Sequence, residues 1–105
     1  MNNELKDAWI NCIKMWEWIV LHHIDGERDV GVLKSKYLLL EREDPYLGCY
    51  FCAYGEDKNR DVMCDNCPAR LVDPTFRCDH TNYAYDAEPV AFLVKIKELY
   101  AKAQI

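Results

Sequence analysis

Two cysteine pairs of the form Cys-x-x-Cys, Cys49 with Cys52 and Cys64 with Cys67, stand with eleven residues between them. A thiolate is a soft, charged ligand, and each pair can place two sulfurs on one turn. The intervening stretch is long enough to fold back, so the four sulfurs can close the tetrahedron of a structural Zn²⁺ site. Such a centre has no open coordination position; it builds a shape and activates no water. Cys78 and His80 lie just downstream, and either can substitute for a member of the first pair, as in Cys52, Cys64, Cys67 and Cys78. Cys12 falls on an apolar helical stripe and reads as a small core residue. The competing readings are disulfides and an iron–sulfur cluster. Cluster cysteines usually fall in tighter runs. Disulfides suit secreted chains, and the opening residues, Met1 to Asp7, form no apolar leader. The expectation is a reducing, cytoplasmic compartment in which the pairs take metal.

Catalytic patterns do not emerge. The chain lacks a His-Glu-x-x-His motif and the His-x-Glu of zinc deaminases. His22 and His23 are adjacent, so on a helix they point about 100° apart and cannot share a metal. The four glycines, Gly26, Gly31, Gly48 and Gly55, build no phosphate-cradling loop. Cys78 with His80 as nucleophile and base is the one arrangement of that kind, and close spacing on a loop supports it weakly. The acidic residues cluster as solvated loops. The expectation is a protein that is not an enzyme.

Thirteen Lys and Arg against eighteen Asp and Glu leave a net charge of −5 over 105 residues. A four-thiolate zinc centre adds to that negative charge. Nucleic-acid affinity rests largely on basic residues displacing counterions, and the nearest thing to a basic run is Lys95, Lys97 and Lys102. Direct nucleic-acid binding is therefore disfavoured. Seven Tyr and three Trp mark a folded chain. No apolar stretch is long enough to span a membrane.

One mainly α domain, residues 1–105, follows from the patterning. Apolar residues at helical spacing from Leu5 to His23 predict an amphipathic helix over 3–25, closed by Gly26. Ile10, Trp18 and Leu21 fall on its other face, as internal packing or a partner surface. A weaker helix is expected over 33–43, stopped before Pro45. Residues 46–80 form the zinc-binding insert, a loop or hairpin with a polar tip at 55–61 and a short helical turn started by Pro68. A last helix over 87–104, capped by Asp86, carries Phe92, Leu93, Ile96, Leu99, Tyr100 and Ala103 on one stripe. The fold expected is two packed amphipathic helices with the zinc-bound insert between them.

With Trp16 and Trp18 in the first helix, the two cysteine pairs, Pro68, Cys78 and the final helix, the chain resembles small zinc-binding proteins encoded by bacteriophages. Some such proteins are anti-defence factors, including anti-CRISPR proteins that bind a Cas nuclease. The resemblance implies a phage accessory protein that inhibits a host protein; it carries no catalytic residues. On the residues themselves, Tyr50 and Tyr54 are aromatic anchors for a protein partner. Glu56, Asp57 and Asp61 suit a basic one, such as the surface of a nucleic-acid enzyme. The alternative is a module for single-stranded RNA or DNA using Arg60, Arg70, Arg77 and exposed tyrosines.

Overall fold

The first helix, α1, spans Asn3–Ile24. Ala8, Trp9, Cys12, Met15, Trp16, Ile19 and Val20 are buried on one side of it, at the three- and four-residue spacing of a helical stripe. Glu4 in the first turn and His22 and His23 in the last suit the helix dipole. The helix stops at Gly26, whose φ of +128° only glycine adopts cheaply and whose N–H donates to the His23 carbonyl at 3.2 Å. This is a computed structural model of the chain, and it describes residues 3–26, 29–42, 50–51, 67–78 and 80–103.

Helix α2 runs over Val30–Leu40, three residues ahead of the span expected from the apolar run. Asp29 sets its start: the carboxylate accepts the Val32 N–H at 3.2 Å. It ends before the expected stop because Arg42 takes a left-handed φ of 59° and donates its N–H to the Leu39 carbonyl. Helix α3, Pro68–Val72, begins where Pro68 predicts. Helix α4 is Pro89–Lys102, and its cap position is Glu88 rather than Asp86. Proline at the first position has the right φ and no N–H to satisfy, so it starts the helix without an Asx side chain. The fold is mainly α, with no strand among the described residues.

The expected pairing of the first and last helices is present: α4 packs on α1, with Phe92, Ile96 and Leu99 fully buried and Leu93, Tyr100 and Ala103 flanking them. Helix α2 also packs on α1, and α3 fills the corner between α4 and α1. Two tryptophans organise this. Trp9 meets Phe51 edge-on at 4.9 Å and Tyr100 at 5.6 Å. Trp16 meets Phe92 at 4.9 Å and Tyr85 at 6.0 Å. On the other face of α1, Trp18 packs on Tyr37 of α2 at 5.6 Å, which is internal packing, whereas Leu21 stays exposed.

Ion pairs dress the outside of the α1, α3 and α4 contacts. Lys97 reaches Glu17 across the helix pair at 3.8 Å, and Lys102 reaches Glu98 at 3.3 Å. Asp73, just after α3, accepts the Thr75 hydroxyl at 2.6 Å and the Thr75 N–H at 3.0 Å and lies 3.8 Å from Lys95. These contacts, the hydroxyl first, hold its carboxyl below the usual range.

Burial, helped by the Glu41 carboxylate one turn on, pushes the Tyr37 phenol above its ordinary value of 10.0. The folded state favours the neutral phenol, so this contribution is intact below pH 10 and is lost as pH rises through the unfolded value toward the higher folded one. Denaturant unfolding at about pH 8 and about pH 10.5 should show a smaller alkaline loss for Tyr37→Phe than for the native chain. Equal losses would contradict this account of Tyr37.

Candidate metal centre

Among the proposed ligands, Cys49, Cys52 and Cys64 lie outside the described residues, as do the partner residues Tyr54, Glu56, Asp57 and Asp61 and the alternative's Arg60. What the structure places is the frame on which the two pairs hang. Phe51, inside the first pair, is 2 % exposed and belongs to the same hydrophobic cluster as Trp9, Trp16 and Ile96. Its neighbour Tyr50 is half-buried and packs against that cluster.

The second pair enters the same cluster. Cys67 caps α3 with φ −58° and ψ 129°, the extended ψ that a following proline imposes. Its carbonyl accepts the N–H groups of Arg70 and Leu71 at 2.9 and 3.1 Å. Pro68 and Ala69 are buried, Ala69 completely, and Cys67 itself is half-buried against the core. Each pair thus contributes a residue pinned to one core, which limits how far apart the pairs' fixed ends can drift.

Cys78 and His80 sit on the turn-rich stretch between α3 and α4. Cys78 is exposed, and its carbonyl accepts the Tyr85 N–H at 3.0 Å. The His80 ring stacks on Tyr83, centroids 4.5 Å apart and planes 4° from parallel. The Asn82 N–H donates to His80 Nδ1 at 3.1 Å. An accepting Nδ1 keeps its lone pair, so the neutral ring carries its proton on Nε2. A zinc-bound imidazole has one nitrogen on the metal and the other protonated. His80 Nδ1 serves as an acceptor within the turn at 80–82. Among the described residues no group of three or more His, Cys, Asp and Glu is placed to hold a metal, so Cys67, Cys78 and His80 do not form a site together.

The alternative's arginines are placed as follows. Arg70 donates from Nη2 to the Pro74 carbonyl at 3.3 Å, bracing α3, and Arg77 is exposed. Lys95, Lys97 and Lys102 each lie within ion-pair distance of Asp73, Glu17 or Glu98. That leaves little uncompensated positive charge on α4.

His80→Phe keeps the ring stack on Tyr83 and removes both nitrogens. Zinc content by elemental analysis should be unchanged in this variant and should fall in Cys67→Ser. Loss of zinc in His80→Phe would make His80 a ligand and overturn its assignment to the turn.

Comparison with known proteins returns no matching family model, no matching curated protein and no matching solved structure, so the chain's own chemistry carries the functional reading.

Proposed function

We propose that the chain is a non-enzymatic protein-interaction module whose insert is held by a structural zinc ion at Cys49, Cys52, Cys64 and Cys67. The observation that carries this reading is that Phe51 and the Cys67–Ala69 stretch, one from each cysteine pair, enter the same hydrophobic core. Soft donors at zinc-finger spacing supply the rest. A bound zinc would lock the insert to α1 and α4, and in small zinc modules it contributes roughly 10–16 kcal/mol of apparent binding energy to folding. With all four positions taken by sulfur, it would have structural work only.

The function then lies in the surface. The acidic tip at Glu56, Asp57 and Asp61 and the net charge of −5 suit a basic protein partner. By the sequence resemblance, that partner is a host protein that the chain inhibits, of the kind a Cas nuclease exemplifies, in the cytoplasm of the host. Direct nucleic-acid binding is the weaker alternative, because the lysines of α4 are paired with acids. No helix among the described residues is long and apolar enough to cross a membrane.

The test is retention of a protein from host lysate by the tagged, zinc-loaded chain, with and without nuclease treatment. One protein retained equally in both arms, and lost when Glu56, Asp57 and Asp61 are changed to Lys, is the expected result. Retention that vanishes with nuclease would replace this reading with the nucleic-acid one.

A further inference from the structure

Helix α2 carries large apolar residues beyond its core-facing ones. Val30, Leu33, Tyr37 and Leu38 face the core, yet Leu39 and Leu40 are 61 % and 68 % exposed and Val32 is 40 % exposed. The end of α1 beside it adds Leu21 and Ile24, both exposed. Five of the eight large apolar side chains exposed among the described residues therefore lie on α2 or on the C-terminal part of α1.

Between the two helices lies an open groove of about 610 Å³, lined by Trp18, His22, Leu33, Leu39 and Leu40. Its floor is ordered. The His22 ring stacks on Trp18 with centroids 4.0 Å apart, and its Nδ1 donates to the Trp18 carbonyl at 3.0 Å. Two charged residues complete the lining, Asp25 at the end of α1 and Lys36 on α2. Both are exposed, and neither has an ion-pair partner among the described residues, unlike the lysines of α4.

One acid and one base on the rim of an apolar groove make a self-complementary surface. In a two-fold interface, residue i of one copy meets residue j of the other and j meets i. Because α2 runs back along α1, Asp25 lies at the α1 C-terminal end of the groove, whereas Lys36 lies level with Trp18, next to the Trp18–Tyr37 contact. A copy laid antiparallel across the groove exchanges those two ends. We propose that this groove is a homodimer interface, in which Leu39 and Leu40 of each copy pack into the partner's groove and Asp25 of each pairs with Lys36 of the other. The proposal is independent of the metal centre and of any host partner.

Sedimentation equilibrium on the zinc-loaded full chain, run up to about 1 mM, tests it. The native chain should approach twice its 12.4 kDa mass. Asp25→Lys and Lys36→Asp, both surface changes, should each raise the dimer dissociation constant on the order of tenfold, since each sets like charges opposite each other. An equimolar mixture of the two variants should recover the native dimer, because each then meets the opposite charge. Leu40→Asp should leave a monomer of unchanged circular dichroism. A native chain that stays monomeric throughout, or a dimer indifferent to these charges, would overturn the proposal, and a groove that takes only a different protein would give the first of those results.

Discussion

Everything described in this protein leans on the buried stripe of α1, and above all on Trp9 and Trp16 within it. Seven residues apart, the two indoles sit two turns from each other on one face. Each grips α4 and one further element: Trp9 takes Tyr100 of α4 and Phe51 of the cysteine-rich region, and Trp16 takes Phe92 of α4 and Tyr85 of the turn before it. Both indole N–H groups are buried without an acceptor among the described residues. An unsatisfied buried donor costs roughly 1–3 kcal/mol, against the roughly 3–5 kcal/mol that loss of a buried Trp or Phe side chain costs in a core. The rings hold their places by shape and area.

That constraint ties the two halves of the molecule together. A small chain buries too little surface to waste any, and here one core serves both the helices and the fixed ends of the cysteine pairs. Phe51 is the link on one side; Pro68 and Ala69 are the link on the other. A metal closing the insert would thus act on a frame already anchored at both ends, and lower the entropy of the chain between them. The outer face of α2, by contrast, has no such anchor among the described residues.

The long helices were legible because their stripes are long. Trp9, Cys12, Trp16 and Ile19 in α1, and Phe92, Ile96 and Leu99 in α4, repeat at helical spacing over many turns, and all of them are buried. The start at Pro68 was legible for a local reason, the fixed φ of proline. Met15 was missed, although it is fully buried: it lies between stripe residues and widens the face rather than marking its centre. The α2 boundaries were missed because Leu38, Leu39 and Leu40 in a row carry no phase; Asp29, directly before Val30, was the available signal. Cysteine spacing names the ligand types but not how a downstream residue is already employed. His80 reads in sequence as a possible substitute ligand, and the Asn82 hydrogen bond to its Nδ1 is a local contact that spacing does not reveal.

The central claim is a zinc ion held by four cysteine sulfurs on this frame. X-ray absorption at the zinc edge, on protein purified without added chelator, addresses it most directly. The account predicts about one zinc per chain with a first shell of four sulfurs at about 2.3 Å. A metal-free protein, or a shell containing nitrogen at about 2.0–2.1 Å, would contradict it.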